Sequence, residues 1–189
     1  MAAPQKNLAR VGEQTLSKMD KMNAEVFTLT YGSMVQQLLK DYEEVGEVNA
    51  QLESMGHGMG QRLIDELLAK SSVGSCADFR ETSEVIAKVG FKMFLGITAT
   101  VANWGSDDAE FSLLLGEDNP IVDMVELPEK HKGLRYCNVL CGVIRGALEM
   151  VNLRVECDYV KCVLWGDDAT EIRVRLVERM EAVYPFGDD

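Results

Sequence analysis

Apolar residues recur at helical spacing over two long stretches in the first half of the chain. The first stretch spans residues 27–45 and the second spans residues 48–67, with an apolar side chain at every third or fourth position. This period predicts two consecutive amphipathic helices. Residues 1–20 are polar and show no clear period, which predicts a disordered N-terminal tail.

Three closely spaced glycines, Gly56, Gly58 and Gly60, interrupt the second predicted helix. Each of them costs up to about 1 kcal/mol of helix stability relative to alanine. Close packing of another helix is a physical reason for accepting that cost. The same run superficially resembles a phosphate-binding loop, but no strand precedes it, so this similarity is weak.

The period changes after a third, strongly apolar helical stretch at residues 79–95. Alternating apolar residues predict strands at 98–104, 111–115 and 121–127, the first two joined by a turn at 105–108. Residues 136–151 return to a helical pattern, with small residues four apart that allow close packing. Residues 153–159 and 172–176 alternate again and predict a hairpin around the turn 165–168. This order predicts an α+β domain with helices packed on one face of an antiparallel sheet.

Cys76 stands two residues before the start of the third helix. Asp78 can cap that helix, and Glu81 follows at the spacing of a capping box. The amide groups at a helix N-terminus favour negative charge, so the Cys76 thiol is expected to ionise readily. A reactive thiol beside an apolar interior suits covalent attachment of an acyl chain. The alternative, a small core cysteine, is the commoner role of this residue type.

Composition narrows the possible functions further. A chain of 189 residues fits one domain, and its net charge of −12 argues against a broad nucleic-acid-binding surface. Five cysteines, with no framework spacing and no signal peptide, indicate a reducing compartment and hence the cytosol. The two histidines, His57 and His131, give little support to a metal site or a catalytic triad. Cys137 and Cys141 lack a second ligand pair, so core packing is the preferred interpretation for them.

Many short segments, in order along the chain, match one known family. They include Asp78-Phe79-Arg80-Glu81-Thr82 and the glycine-containing run 145–151, and the others are 27–32, 62–64, 85–89, 91–93, 95–98, 103–104, 110–113, 125–128, 140–143 and 170–173. In these segments the chain resembles the small subunits of the transport protein particle (TRAPP), a vesicle-tethering complex, and among them the acylated, Bet-type subunits. The resemblance implies a domain over residues 21–184, followed by a C-terminal tail at 185–189.

The resemblance also implies site residues. It implies a palmitoyl thioester on Cys76, with the acyl chain held in an apolar tunnel whose lining would be Val73, Phe79, Ile86, Val89, Gly90, Met93 and Phe94. It implies a dimer formed through the first two predicted helices, with an interface that would use Phe27, Tyr31, Met34, Leu38, Leu52, Met55 and Met59. Lys92 would face the membrane. The family has a basic residue where this chain has Ser75, which weakens that basic face.

The function implied by the resemblance is that of a core scaffold subunit without enzymatic activity of its own. The partners would be other TRAPP small subunits, a second copy of the chain in isolation, and a Rab-type GTPase that the assembled complex acts on as a nucleotide exchange factor. The implied location is cytoplasmic, peripheral at the cis-Golgi and endoplasmic reticulum, in ER-to-Golgi transport. Two alternatives are a domain with an exchangeable lipid or small ligand, and a thiol enzyme using Cys76.

Overall fold

The computed structural model describes residues 7–116 and 118–181. The helices are α1 (Leu8–Leu16), α2 (Ala24–Asp41), α3 (Val45–Lys70), α4 (Phe79–Val85), α5 (Phe91–Leu95) and α6 (Asn138–Glu149). A π-helical turn, Ile86–Gly90, joins α4 to α5. The strands are β1 (Ala99–Ala102), β2 (Glu110–Leu115), β3 (Leu153–Lys161) and β4 (Thr170–Arg179), and short 3-10 turns occupy Glu129–His131 and Val163–Trp165.

The four strands form one antiparallel sheet in the order β1-β2-β4-β3. Side chains on β3 alternate between buried and exposed, as expected when only one face of a sheet is covered. Leu113 lies opposite Ile172, and Cys157 lies opposite Val174, and all four are buried in the main core. The predicted α+β class and the predicted β3–β4 hairpin are therefore confirmed. Gly166 lies in the turn of this hairpin and has φ of 94°, a conformation that glycine adopts without strain.

Helices α3 and α6 pack with their backbones in direct contact. A Cβ atom built on Gly142 would overlap the carbonyl oxygen of Glu53 and lie 2.7 Å from the amide nitrogen of His57. Gly56, Gly60 and Gly146 are equally close to backbone atoms of the opposite helix. The close packing predicted from these glycines is confirmed for Gly56 and Gly60. Gly58 has no neighbour within 4 Å of its Cβ position among the described residues.

Residues 121–127 do not form the predicted strand. Residues 120–124 are turns, with the Val122 amide bonded to the Asn119 carbonyl and the Val125 amide bonded to the Val122 carbonyl. These local bonds use amides that a sheet ladder would need, and Met124 has φ of 59°. Ile121 is nevertheless buried in the main core, which explains the apolar pattern without a strand.

Helix α1 corrects the expectation of a disordered tail over residues 8–16. The Asn7 side chain caps the helix by accepting a hydrogen bond from the Arg10 amide, at 3.1 Å. Leu8 and Val11 lie on one side of α1 and pack against apolar side chains of α3 and of the α4–α5 segment. The period was hard to recognise because α1 has only two and a half turns. Residues 1–6 and the predicted C-terminal tail, 185–189, lie outside the described residues.

Candidate functional site

The segment that carries Cys76 runs between α3 and α4. Asp78 caps α4, because its Oδ1 accepts a hydrogen bond from the Glu81 amide at 2.8 Å. The Glu81 carboxylate in turn accepts one from the Ala77 amide at 2.7 Å. The predicted cap is confirmed, and these two bonds hold the backbone on the C-terminal side of Cys76.

Cys76 packs against a small apolar cluster that is separate from the main core. The buried members of this second cluster are Leu67, Val85, Val89 and Met93. Partly buried side chains surround them, namely Leu8, Val11, Met19, Ile64, Val73, Cys76 and Phe94. The Cys76 thiol is half-buried, so it lies between solvent and an apolar interior. Such a position allows a chain attached to the sulfur to enter the protein.

Gly90 lies at the end of the π-helical turn, beside the second cluster. A Cβ atom built there would lie 3.7 Å from Cδ1 of Leu67 and 3.9 Å from the carbonyl oxygen of Val85. These are ordinary contact distances, so the backbone leaves room for a small side chain at this point. A branched side chain would fill space that borders Leu67. A π-helical turn is uncommon and is frequent at functional sites.

The structure divides the predicted tunnel lining between two apolar regions. Val73, Val89, Met93 and Phe94 belong to the second cluster with Cys76, and Gly90 lies beside it. Phe79 and Ile86 belong to the main core instead, and the Phe79 ring lies 5.1 Å from that of Phe111. Helical spacing did not reveal this division, because α4 and the π-helical turn have apolar side chains on more than one side.

Sequence reasoning missed several members of the second cluster. Leu67 and Ile64 are three residues apart on α3 and point to the same side, a signal that was present in the sequence. Val85 ends α4. The α1 residues were missed because that segment was expected to have no structure.

Lys92, the expected membrane-facing residue, is largely covered by α1. Its side chain is 18 % exposed, and its Nζ lies 2.8 Å from the carboxylate of Glu13. The neighbouring Lys88 donates a hydrogen bond to the Ala99 carbonyl at 2.7 Å. Ser75 is exposed. Both Lys88 and Lys92 are thus engaged in contacts within the chain.

The predicted interface residues fall into three groups. Tyr31 and Leu52 are buried in the chain's own core, and the Tyr31 hydroxyl donates to the Tyr136 carbonyl at 2.5 Å, so they offer little surface to a partner. Phe27, Met34 and Leu38 are partly buried against the core. Met55 and Met59 are exposed. Helix α2 also exposes apolar side chains that the sequence analysis did not single out, namely Val26 and Leu29, and Met22 is exposed just before it.

The remaining cysteines and His57 occupy positions that suit a structural role. Cys137, Cys141 and Cys157 are buried, and this burial raises the pKa of each thiol. Nε2 of His57 lies 2.5 Å from the Glu149 carboxylate, in the contact between α3 and α6. Over residues 7–116 and 118–181, no group of three or more His, Cys, Asp or Glu side chains is arranged to hold a metal ion. None of the described helices is long and apolar enough to span a bilayer.

Comparison with known proteins identifies relatives over nearly the whole chain. The chain is 53 % identical over 185 residues to "Trafficking protein particle complex subunit 3" of Dictyostelium discoideum, covering 97 % of this chain and 99 % of that one. It is 40 % identical over 185 residues to the subunit 3 homolog of Caenorhabditis elegans, covering 96 % and 99 % of the two chains.

A solved structure shares both sequence and fold with this chain. It is trafficking protein particle complex subunit 3 from Naegleria fowleri, covalently bound to palmitic acid. The two chains are 56 % identical with a TM-score of 0.82, and the match covers 86 % of this chain and all of the other.

The sequence profile of the family described as "Transport protein particle (TRAPP) component" matches residues 27–175. That range includes most of α2, all of α3 to α6 and of β1 to β3, and more than half of β4, and it contains Cys76 and Gly90. The chain therefore belongs to the TRAPP component family.

Proposed function

We propose that this chain is a core subunit of a TRAPP complex and carries a buried palmitoyl chain as a thioester on Cys76. The observation that carries the proposal is the position of Cys76, half-buried against an apolar cluster distinct from the main core. The palmitate bound covalently by the Naegleria relative adds support. A chain with this role acts as a scaffold in vesicle transport.

The residues around Cys76 suit a long acyl chain. Val89 and Met93 are buried and apolar, Val73 and Phe94 border them, and Gly90 leaves room beside Leu67. Burial of a sixteen-carbon chain, at about 0.8 kcal/mol per methylene group, contributes roughly 11 kcal/mol at most. That free energy favours the protein interior over water. Phe79 and Ile86 would pack behind these residues, from the side of the main core.

Purified protein from a eukaryotic host is expected to carry an added palmitoyl mass that hydroxylamine removes. The adduct should be absent from Cys76→Ser, because the other four cysteines are buried in the main core. Intact mass spectrometry before and after hydroxylamine makes the measurement. An adduct that persists in Cys76→Ser places the acyl chain elsewhere. A lipid released by solvent extraction alone indicates an exchangeable ligand instead.

A second variant tests the acyl-binding wall separately from the thiol. Gly90→Leu should fold, since leucine has the higher helix propensity, but its side chain would occupy the space beside Leu67. The acylated fraction should fall strongly, with Gly90→Ala as the milder control. Full acylation of Gly90→Leu would show that Gly90 does not border the acyl chain.

We also propose that α2 and α3 form a dimer interface, with a second copy in isolation and with related small subunits in the complex. The support is a set of exposed apolar side chains, Val26 and Leu29 on α2 and Met55 and Met59 on α3. Exposed apolar patches on soluble proteins commonly mark interaction sites. Phe27, Met34 and Leu38 would border this surface.

Nucleotide exchange on a Rab-type GTPase is proposed as a property of the assembled complex. In this proposal the chain works at the cis-Golgi and endoplasmic reticulum, attached peripherally through its partners. Its net charge of −12 opposes direct binding to anionic membranes. The isolated subunit is expected to leave the rate of nucleotide release from Rab-type GTPases unchanged, as measured with a fluorescent guanine nucleotide. Accelerated release by the subunit alone contradicts this part of the proposal.

A further inference from the structure

Helix α1 covers one side of the cluster that contacts Cys76. Leu8 and Val11 of α1 pack against the second cluster, as does Met19 in the segment that follows. Val73 and the Cys76 side chain pack against the same cluster. Helix α1 and Cys76 therefore border one apolar cluster, although more than 50 residues separate them in sequence.

The fit of α1 depends on one glycine. A Cβ atom on Gly12 would overlap the carbonyl oxygen of Lys88 and lie 3.2 Å from Cβ of Lys92. The helix backbone is thus seated directly on the π-helical turn and the start of α5. Any side chain at Gly12 would force α1 away from this seat.

Two features of α1 favour reversible docking. A helix of nine residues is too short to be stable alone, so its helical structure depends on docking. The charge pair of Glu13 with Lys92 has one partner that is 64 % exposed, and exposed pairs contribute at most about 1 kcal/mol. Residues 17–23 connect α1 to α2 and contain no helix or strand, and within them Met19 also packs against the second cluster.

We propose that α1 is a removable cover over the Cys76 site. It opens to admit an acyl group at the thiol and closes over that group afterwards. The identity of the acyl group rests on the proposed function above, whereas the cover itself rests on the packing of α1. Opening would also uncover Lys92, because Glu13 leaves with the helix.

Thiol labelling of acyl-free protein from a bacterial host tests the cover directly. Under native conditions a maleimide should report on Cys76, since the other four cysteines are buried, and Cys76→Ser provides the blank. Gly12→Val should raise the labelling rate about tenfold, which is the effect of a shift of 1.4 kcal/mol toward the open form. The matched control is Gly46→Val in the first turn of α3, where a Cβ meets nothing within 4 Å among the described residues.

Removal of residues 1–16 provides a second variant. It tests the cover even if the structure adjusts around the new valine in Gly12→Val without displacing α1. The truncated chain should keep its far-ultraviolet spectrum, apart from the lost helix, and label at least as fast as Gly12→Val. Hydrogen exchange should show faster exchange of α1 amides in Gly12→Val than in Gly46→Val. Wild-type labelling rates in the truncated chain would overturn the proposal.

The acylated protein separates this inference from the proposed function. If wild-type protein carries the acyl chain, hydroxylamine should release it faster from Gly12→Val than from Gly46→Val, and equal rates count against the cover. If wild-type protein carries no acyl chain, the proposed function fails. The labelling experiment on acyl-free protein still decides whether α1 controls access to Cys76.

Discussion

Gly142→Ala is expected to be the most destabilising single-methyl change in the contact between α3 and α6. The added Cβ would overlap the Glu53 carbonyl oxygen and lie 2.7 Å from the His57 amide nitrogen. Both are backbone atoms, so the helices must separate rather than repack side chains. We expect a loss of about 3 kcal/mol in unfolding free energy, the upper part of the range for overpacked cores. This corresponds to a melting temperature lower by roughly 6–12 °C for a domain of this size, measured by thermal unfolding.

Gly46→Ala is the matched control for this change. It makes the same substitution inside a helix, at a position with no described neighbour within 4 Å of the new Cβ. Alanine should stabilise the helix there by up to about 1 kcal/mol. Melting temperatures that agree within 2 °C for the two variants would show that α3 and α6 separate easily, contrary to the packing argument.

Leu29→Glu is expected to convert a dimer into a monomer of 21.0 kDa. Leu29 is 63 % exposed on α2, so the substitution should not disturb the chain's own core. At a dimer interface it would bury a carboxylate without a partner, at a cost of several kcal/mol for each copy. Light scattering coupled to size exclusion, at micromolar concentration, should therefore report half the wild-type mass, with unchanged circular dichroism.

Val177→Glu controls for the general effect of a new exposed charge. Val177 is 50 % exposed on β4, a strand that carries none of the proposed interface residues. This variant should keep the wild-type mass. A wild-type protein that is already monomeric at micromolar concentration would remove the homodimer from the proposal, and a dimeric Leu29→Glu would move the interface away from α2.

Local patterns in the sequence determined the type of most elements. The three-to-four period predicted α2, α3 and α6, and the alternation predicted β3 and β4, because both periods reflect which side chains can share one face. The cap at Asp78 was also predictable, since it depends on residues three positions apart. The close glycine contacts of α3 followed from the unusual cost of glycine within a helix.

Only the tertiary structure decided which partner each apolar face meets. Tyr31 and Leu52 have the same spacing as interface residues, yet they are buried in the chain's own core. Ile121 has a strand-like neighbourhood, yet it enters the core from a turn. Phe79 and Val89 lie on the same apolar stretch but belong to different clusters. The spacing of apolar residues shows which side chains will be buried. It does not show which other side chains they will pack against.

The site around Cys76 divides in the same way. The sequence determined the thiol, the capped helix that follows it and the small residue at Gly90, all within fifteen residues of one another. The structure decided that Leu67 of α3 and the helix α1 complete the apolar cluster beside Cys76. Leu67 stands 9 residues before Cys76 in the chain, and α1 stands 60 or more residues before it. Local conformational preferences act over one or two turns, whereas these contacts form only when distant segments exclude water together, so a linear pattern contains no record of their pairing.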